Sequence, residues 1–431
     1  MKNTVKNFMF YIAFVASLGG LLFGFDTAVI SGAEKSIQTV YGLSDFSHGF
    51  TIAIALIGTI IGAFICSKPV EKYGRLKALK IIAFLYFVSA VGSAAIIDWY
   101  SFLFFRFAGG LAVGASSVVG PMYIAEISPS RWRGRFVAFF QFNIVLGIVL
   151  AYFSNYWIHG IAHDWQWMLG VEAIPAIVFA LLLYTVPESP RWLVKQNKET
   201  EARRIIKEVS NADIEQEVHE IRESLVATGN CGEKLFQRKY RKPILYAFLI
   251  ATFNQLSGIN AILYYAPRIF EMSGVFTDSA MMQSIVIGLT NLTFTMIGMI
   301  LIDQVGRKKL LYIGSIGMAI SLALVAKGFC QDTFSGYYML ACLMGFIAFF
   351  AISLGAVIWV LISEVFPNSI RSKGQVLGSM THWVWSALLS WMFPVFIRTG
   401  GTFIFSFFAI MMFLSFFFAL RLPETKNKSL E

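Results

Sequence analysis

The sequence predicts an all-α polytopic membrane protein with twelve transmembrane helices. Three observations predict this class: the composition, the spacing of the apolar stretches and the placement of the basic residues. Of the 431 residues, 57% are hydrophobic and 14% are charged, whereas soluble domains have about 45–50% apolar and about 25% charged residues. With 42 Phe, 16 Tyr and 10 Trp, the chain is also too apolar for intrinsic disorder. The composition therefore excludes an ordinary soluble enzyme.

Twelve apolar stretches have the length of about 20 residues that a helix needs to cross about 30 Å of hydrocarbon. We predict spans at 8–30, 49–67, 78–97, 101–124, 136–158, 167–186, 243–267, 281–302, 310–329, 338–362, 374–397 and 401–421. The first span follows two lysines, as the apolar part of a signal peptide does, but it stays apolar through Ile30 and is predicted to be a membrane span.

The basic residues orient these spans. Of the 35 Lys and Arg residues, 30 lie in segments that are cytoplasmic if the N-terminus is cytoplasmic. The opposite side, counting loops and span ends, holds only Lys35, Arg268, Lys327 and Arg398, and Arg106 lies within span four. The positive-inside rule thus places both termini in the cytoplasm. The net charge of +10 reflects this topology and no nucleic-acid site, because the basic residues form no patch among aromatic residues.

A polar segment at 187–242 separates spans six and seven, and it carries 12 basic and 10 acidic residues. Apolar residues recur in it at helical spacing, at Ile214, Val218, Ile221 and Leu225. We predict an amphipathic helix that packs on the cytoplasmic face, with an irregular mixed-charge linker as the alternative. The predicted domains are an N-terminal six-helix bundle at 1–186, this linker at 187–242, and a C-terminal six-helix bundle with a short cytoplasmic tail at 243–431.

Short motifs recur in the two halves at a nearly constant separation. EKYGR at 71–75 corresponds to DQVGR at 303–307, and PES at 187–189 corresponds to PET at 423–425. A third pair is Glu126 with Arg133, which corresponds to Glu364 with Arg371. Three matches in register predict two parallel six-helix halves, as in transporters that move one half against the other around a site near the bilayer midplane.

The same motifs predict a cytoplasmic gate, because carboxylates and guanidinium groups near helix ends can pair across the two halves and separate when the halves tilt. One exposed pair contributes only about 0–1 kcal/mol, but a network can hold one state. The candidate gate residues are Glu71, Arg75, Glu126, Arg133, Glu188, Arg191, Asp303, Arg307, Glu364, Arg371 and Glu424.

Three carboxylate or guanidinium groups lie in the interior of the predicted spans: Asp26, Arg106 and Glu172. A charge at the bilayer centre costs about 2.5–3.5 kcal/mol on insertion scales, so such groups face a partner or an aqueous cavity. The span directions place all three near the predicted outer side, at one depth. We hypothesise that Asp26 takes up an external proton, which breaks its pair with Arg106 and frees the halves to move. The alternative is a permanent, structural pair, and Glu172 could equally be a protonated, hydrogen-bonded group without a role in coupling.

No metal centre, cofactor or enzymatic activity is predicted. The four cysteines, Cys66, Cys231, Cys330 and Cys342, form no CxxC pair and have no His at metal-ligand spacing, so we interpret them as structural. No nucleophile and base share a plausible site, and no Gly-rich phosphate loop occurs.

Four segments resemble the sugar porters of the major facilitator superfamily: GGLLFGFDTAVISG at 19–32, PESPRW at 187–192, QLSGIN at 255–260 and PETK at 423–426. The likeness covers essentially the whole chain. Span one is most similar to that of bacterial xylose/proton symporters, in which Asp26 occupies the proton-coupling position, whereas uniporter relatives carry a neutral residue there. Arg106 and Glu172 also match positions around that aspartate.

The resemblance implies the major facilitator fold and a proton-coupled importer of a monosaccharide, xylose or glucose, that works by alternating access. A facilitative uniporter with a structural Asp26–Arg106 pair is the alternative. A non-transporting sugar sensor is more remote, because such sensors usually carry long cytoplasmic extensions. The implied partners are a small neutral sugar, a proton and the lipid bilayer, with no nucleic acid, and the protein is expected to act as a monomer in a bacterial inner membrane.

The resemblance also implies a sugar site lined by Phe23, Gln141, Gln255, Asn260, Tyr264, Asn291, Trp359 and Trp383. Amides that donate and accept hydrogen bonds suit the hydroxyls of a sugar, and an indole face covers its C–H surface. Helix–helix hydrogen bonding is the alternative for each amide. In span seven, however, Ser257 and Gly258 predict a locally unwound helix, which is tolerated beside a cavity.

Four positions depart from the family pattern, and one of them is Ser67, which replaces the glycine that opens the loop motif after span two. Asn254 stands where a second glutamine is usual, and His382 stands where Asn or Gln is usual; both are included as candidate sugar-binding residues, with packing an equal alternative for His382. Ala356 stands where a proline is common, so span ten is predicted to bend less or to bend elsewhere. The exact sugar stays undecided, because QLS at 255–257 resembles glucose transporters while span one resembles xylose symporters.

Overall fold

The computed structural model describes residues 3–129, 132–209, 214–228, 235–331, 336–367, 370–422 and 424, and this part of the chain is helical without strands. The helices up to the end of the polar segment are α1 (Asn3–Val40), α2 (Asp45–Ile65), α3 (Ser67–Tyr73), α4 (Arg75–Ala95), α5 (Trp99–Ile127), α6 (Arg133–Ile158), α7 (Asp164–Gly170), α8 (Ala173–Leu182), α9 (Pro190–Lys195), α10 (Glu199–Val209) and α11 (Ile214–Thr228). After a 3₁₀ turn at Arg238–Tyr240 follow α12 (Arg241–Leu256), α13 (Ile259–Tyr264), α14 (Ala266–Met272), α15 (Thr277–Val305), α16 (Arg307–Gln331), α17 (Gly336–Phe350), a π turn (Ala351–Gly355), α18 (Ala356–Glu364), α19 (Arg371–Arg398) and α20 (Gly401–Arg421).

Twelve helical stretches in the described residues are long and apolar enough to cross a membrane, as the sequence predicts. Spans one to six are Asn7–Val40, Asp45–Ile65, Arg75–Ala95, Trp99–Ile127, Arg133–Ile158 and Asp164–Leu182. Spans seven to twelve are Arg238–Tyr264, Thr277–Val305, Arg307–Gln331, Tyr337–Glu364, Arg371–Arg398 and Gly401–Arg421.

Span one differs most from its predicted bounds, because its helix continues to Val40 instead of ending at residue 30. The added segment contains buried polar residues, Ser31 and Glu34, between buried apolar residues. The Ser31 hydroxyl donates to the carbonyl of Ala28, and Glu34 forms ion pairs. Hydropathy drops where these polar groups begin, but their hydrogen bonds are satisfied within the protein, so the helix continues. Asp26 therefore lies well inside the helix and not near its outer end.

Three spans are interrupted. Span six breaks between α7 and α8, at Val171 and Glu172. Span seven breaks after Leu256 at Gly258, whose φ of +83° suits glycine, and this confirms the predicted unwinding. Span ten contains the π turn Ala351–Gly355. This turn is where the helix is irregular, although Ala356 replaces the usual proline. Such π turns are frequent at functional sites.

The chain folds into two compact units, of which the first comprises Met1–Asp26, Gly58–Ile148 and Leu169–Gly232. Its apolar core includes Ile12, Leu79 and Phe179, all buried. Glycines let its helices approach closely: a Cβ at Gly24 would lie 1.8 Å from the carbonyl oxygen of Ile144. Small residues where helices meet allow such backbone approach in membrane proteins.

The polar segment forms α9, α10 and α11 within the first unit. Trp192, Ile206 and Val218, one residue from each helix, are buried in a shared apolar cluster. The amphipathic helix predicted around 214–225 is thus confirmed as α11, and its apolar side packs on α9 and α10; the side chain of Leu225 lies outside the described residues. On the polar side, Glu199 forms an ion pair with Arg222, whose hydrogen bond lowers the pKa of Glu199.

The second unit comprises Thr27–Ile57, Val149–Met168 and Glu233–Glu431. It holds spans seven to twelve together with the predicted outer ends of spans one, two, five and six. Tyr152 of span five donates its hydroxyl to the carbonyl of Leu263, at 2.8 Å. A Cβ at Gly49 of span two would lie 1.8 Å from the carbonyl of Trp391. Helices from both halves of the sequence therefore build this unit.

Candidate functional site

In the first unit, span four places Arg106 against Asp26 of span one. The Nη1 atom of Arg106 donates to Oδ1 of Asp26 at 2.6 Å, and both residues are 3% exposed. Gly109 makes room for Ser89 beside this pair, because a Cβ there would lie 2.4 Å from the Ser89 hydroxyl, whereas Asp26 Oδ1, at 3.7 Å, would be in ordinary contact. A charge-assisted hydrogen bond of this kind is among the stronger bonds in proteins.

Glu172 brings a second buried carboxyl group to this pair. It lies at the break between α7 and α8, is 2% exposed, and interacts electrostatically with both Asp26 and Arg106. If both carboxyls were ionised, the group would have a net negative charge in the protein interior, which is costly. One bound proton makes the group neutral. The arrangement can therefore bind and release a proton.

Buried hydroxyl groups near these charges were not predicted. Tyr86, Ser89 and Ser93 are at most 2% exposed, and Tyr86 lies close enough to Asp26 and Glu172 to sense their charges. The three residues follow one another at intervals of three and four, which places them on one face of span three. That spacing within an apolar span is the signal that could have identified them.

In the second unit, Gln255 is the centre of a buried hydrogen-bond network. Its Nε2 atom donates to Oδ1 of Asn254 at 3.0 Å and lies 3.1 Å from Nε2 of His382. Its Oε1 atom accepts from Nδ2 of Asn260 at 3.0 Å, and the Asn260 amide also donates to Ser386 at 2.6 Å. The break in span seven brings these amides together, since Gln255 and Asn260 lie on opposite sides of Gly258.

Two of the candidate sugar-binding residues have mainly structural contacts. The Asn254 amide donates to the carbonyl of Leu354 in the π turn, at 3.2 Å. Asn291 accepts a 3.4 Å hydrogen bond from Thr295 on its own helix. Asn254, whose side chain is shorter than that of the glutamine usual at this position, thus links span seven to the π turn of span ten.

Aromatic rings surround His382. The ring centroids of Trp359 and Trp383 lie 5.0 Å and 4.9 Å from that of His382. Trp359 is 39% exposed, whereas Trp383 is buried; Tyr264 is also buried in α13. This unit therefore joins amide donors and acceptors to indole faces, the chemistry that suits a neutral sugar. Phe23 and Gln141 lie in the first unit, where both are half-buried.

The repeated motif of the first half builds a charge cluster in the first unit. The guanidinium of Arg75 donates two hydrogen bonds of 2.7 Å to Glu126. The Glu188 carboxylate accepts from the backbone N–H of Arg75 and of Leu76 at the start of α4. Burial raises the pKa of Glu188 in spite of these bonds. Gly74 has φ +96°, and a Cβ there would lie 2.4 Å from Glu188.

The second half repeats this geometry in the second unit. Arg307 donates to Glu364 at 2.9 Å and 3.2 Å, and Glu424 accepts from the backbone N–H of Arg307 and of Lys308. Gly306 has φ +97°. These ion pairs join helices of the same half, whereas the sequence analysis predicted pairs across the halves; each glycine turn places the carboxylate at a helix start within its own half.

Two of the remaining candidate gate residues, Glu71 and Asp303, are more exposed. Glu71 lies 3.4 Å from Lys195, and Asp303 lies 3.1 Å from Arg307; their side chains are 67% and 78% exposed. The described part of the chain shows no ion pair for Arg133, Arg191 or Arg371.

A second cluster of buried charges, absent from the sequence analysis, lies in the second unit. Glu34 of span one binds both His48 of span two and Arg268 of α14. Glu34 lay beyond the predicted end of span one, and no local pattern indicates that it meets a residue more than 200 positions away.

Comparison with known proteins identifies the family. Residues 12–431 match the family described as "Sugar (and other) transporter". The chain belongs to this family. It is therefore a multi-pass membrane transporter and not an enzyme.

The similar proteins include bacterial proton symporters named for xylose and for arabinose. The chain is 38% identical to the D-xylose-proton symporter of Escherichia coli (strain K12), over 100% of this chain and 96% of that protein. It is 37% identical to the arabinose-proton symporter of Bacillus subtilis (strain 168), over 100% and 95% of the two chains. The xylose transporter of E. coli in a partially occluded inward-open conformation matches with a TM-score of 0.87 and 37% identity, over 98% of this chain and 100% of that chain. These matches confirm the major facilitator fold.

Proposed function

We propose that this protein is a proton-coupled importer of a neutral monosaccharide that works by alternating access. The observation that carries the proposal is the buried group of Asp26, Arg106 and Glu172, in which two carboxyls share one guanidinium. A transporter of a neutral sugar needs no such group for binding its substrate, whereas a proton-driven one needs a carboxyl that changes its charge. The two pentose relatives are proton symporters by name, which supports the same interpretation.

In the proposed cycle, an external proton binds Asp26 and removes its charge. Arg106 then loses its charged partner and turns to Glu172, which weakens the link between spans one and four. The bound sugar is held by the amides of Gln255 and Asn260 and by the indole rings around His382. Return of the proton to the inside restores the Asp26–Arg106 pair.

Xylose, arabinose and glucose are the sugars to compare. The first two are named for the relatives, and glucose follows from the likeness of QLS at 255–257 to glucose transporters. We propose Phe23, Gln141, Tyr264, Asn291, Trp359 and Trp383 as further contacts of the sugar, with Asn254 and His382 contributing through the Gln255 network.

The proposal includes a topology. Both termini face the cytoplasm of a bacterial inner membrane, the bundles at 1–186 and 243–431 are the moving halves, 187–242 is their linker, and one chain is the functional unit. The repeated charge clusters of Arg75 and Arg307 form the cytoplasmic gate. Single cysteines introduced into the loops would test the orientation. A membrane-impermeant reagent added to intact cells should label only those in the predicted outer loops.

Uptake of radiolabelled sugar into proteoliposomes tests the transport proposal. Wild-type protein is expected to accumulate xylose above equilibrium under an inward proton gradient, and a protonophore should abolish the excess. Asp26→Asn is expected to equilibrate the sugar without accumulation, because it cannot release and rebind the proton. Asp98→Asn is the matched control, since it removes a fully exposed carboxylate that caps span four.

Each outcome is informative. Accumulation by Asp26→Asn equal to wild type would show that Asp26 is not the coupling group. Equilibration without accumulation by the wild type would make the protein a facilitative uniporter with a structural Asp26–Arg106 pair. No uptake of any of the three sugars, by protein that is folded, would contradict the substrate class.

A further inference from the structure

The buried cluster around Glu34 joins elements from both halves of the sequence within the second unit. Oε2 of Glu34 lies 2.6 Å from Nε2 of His48 and 3.1 Å from Nη1 of Arg268. Glu34 is 2% exposed and His48 is 0% exposed, while the Arg268 side chain is 23% exposed. Glu34 and His48 belong to spans one and two, and Arg268 belongs to α14, which follows span seven.

The hydrogen bonds indicate how the charge is arranged. Nδ1 of His48 is buried and has no hydrogen-bond partner in the described residues. An imidazolium would have an N–H donor at Nδ1 without an acceptor, which is costly in the interior. A neutral imidazole that donates from Nε2 to Glu34 avoids this. The positive charge that balances Glu34 is then the guanidinium of Arg268.

Alternating access must part the two halves at one side of the membrane and then at the other. Parting at the predicted outer ends would take Arg268 away from Glu34, which would stay with His48. A buried carboxylate without a counter-charge is strongly unfavourable. A proton from the outside compensates the charge of Glu34. It binds either the Glu34 carboxyl itself or His48, which then pairs with Glu34 as an imidazolium.

The other charges at this end have no such need. Lys35 of span one pairs with Glu271 of α14, and Asp45 of span two pairs with Arg398 of span eleven, both at 2.8 Å. The Lys35 and Arg398 side chains are 66% and 80% exposed, and their partners Glu271 and Asp45 are 16% and 17% exposed. Water therefore reaches both members of these pairs, whereas it barely reaches Glu34 at 2%. His159, the residue after the end of span five, lies between Asp164 and Asp278, and it is also partly exposed. The buried phenol of Tyr265 faces Glu34 as well, and it donates to the carbonyl of Ser390.

We propose that Glu34, with His48, is a second proton-binding site that opens and closes with the predicted outer side of the transporter. Closure binds Glu34 to Arg268 and releases one proton; opening breaks this pair and binds one proton. External acid therefore favours the outward-open arrangement through a group distinct from Asp26. This inference rests on the proposed alternating access, but it concerns the equilibrium between conformations and not the sugar.

The experiment measures distances between two spin labels in protein without sugar. The background is Asp26→Asn with its four cysteines replaced, so that the pH response of Asp26 is absent. Labels at Val40→Cys and Phe276→Cys report the outer end, since Val40 and Phe276 are 55% and 87% exposed. The long-distance population is measured between about pH 5 and about pH 8, the range in which histidine and perturbed carboxyl groups titrate.

The expected ratio of open to closed protein rises as the pH falls, with a limiting slope of about tenfold per pH unit for one proton. Glu34→Gln and Arg268→Gln should both remove this slope: the first has no carboxyl to protonate, and the second leaves Glu34 without Arg268 in both arrangements. Glu271→Gln is the matched control, because it breaks the neighbouring pair on the same two helices, in which Lys35 is 66% exposed, and it should keep the slope. His159→Gln should keep it as well.

A slope that persists in Glu34→Gln would overturn the proposal, as would a background protein whose open population does not change with pH. Because the measurement needs no transport, these outcomes are separate from a failure of sugar uptake or of coupling at Asp26. If Glu34→Gln does not fold, Arg268→Gln carries the same test.

Discussion

At the scale of single residues, Arg106 lies beside two buried carboxyl groups, Asp26 and Glu172. This excess of carboxyls changes what a substitution should do. Removing one partner of a buried ion pair usually destabilises a protein by about 3–5 kcal/mol, because the other charge is left without compensation. Here Glu172 can ionise and compensate Arg106 after Asp26 is lost.

We therefore predict that Asp26→Asn is only mildly destabilising, and that Asp26→Asn combined with Glu172→Gln loses about 3–5 kcal/mol, because Arg106 is then buried without an anion. Glu172→Gln alone, which keeps the Asp26–Arg106 pair, is the control. Thermal unfolding of the three variants in detergent measures the effect. Additive, small losses in the double variant would show that Arg106 does not need a carboxylate.

The same residues show what the sequence can reveal at this scale. Asp26, Arg106 and Glu172 are visible in the sequence because charges are conspicuous in apolar spans. Glu34 and His48 are not, because they lie at the ends of the predicted spans, where charges are ordinary. The ion-pair partner of Glu34 is Arg268, which the chain brings to it only through the tertiary fold.

At the scale of elements, the break in span seven determines where the amides lie. Gly258 has φ +83°, and a Cβ there would meet the Phe408 ring at 2.5 Å. Gly274 has the same φ of +83°, but a Cβ there would meet nothing within 4 Å. A substitution at Gly274 therefore tests backbone strain alone, whereas a substitution at Gly258 tests backbone strain together with crowding by Phe408.

We predict that Gly274→Ala destabilises the protein by about 1–2 kcal/mol, the strain of a left-handed alanine. Gly258→Ala should lose about 1–3 kcal/mol more, because the Phe408 ring must also move. It should in addition weaken sugar binding, since Gln255 and Asn260 flank the break. Thermal unfolding and sugar titration by tryptophan fluorescence measure the two effects. Equal losses of stability for the two variants would contradict the role of Phe408.

Serine and glycine made this break predictable, because local backbone preferences decide it. The π turn of span ten was less predictable: Ala356 in place of a proline indicated an altered bend, but not its position. The Leu354 carbonyl in that turn accepts from Asn254 of another helix, and so the bond that stabilises the turn is a tertiary one.

At the scale of the whole molecule, the internal repeat produces the same charge cluster twice. Arg75 binds Glu126 as Arg307 binds Glu364, and in each cluster a second glutamate accepts N–H bonds at a helix start. Each arginine is at most 12% exposed in its side chain. The similar geometry predicts that the two ion pairs contribute similarly to stability.

Glu126→Gln and Glu364→Gln are therefore each expected to lower the free energy of unfolding by about 1–3 kcal/mol, because a partly buried guanidinium loses its charged acceptor. Asp303→Asn is the control: it removes the exposed partner of the same Arg307 and should lose about 0–1 kcal/mol. Denaturant unfolding in detergent gives the three values. A loss for Asp303→Asn as large as that for Glu364→Gln would contradict the dominance of the buried pair.

The sequence by itself determined the helical membrane class, the twelve spans, the repeat and the family, because these depend on hydropathy, charge placement and short motifs that are local in the chain. It also identified Asp26, Arg106, Glu172 and the amides of span seven as candidates. Only the tertiary structure decided the length of span one, the partners of Arg75 and Arg307 within their own halves, and the Glu34 cluster. These features depend on contacts between segments that are distant in the chain. Such contacts pair and bury polar groups that hydropathy alone would predict to be exposed to water.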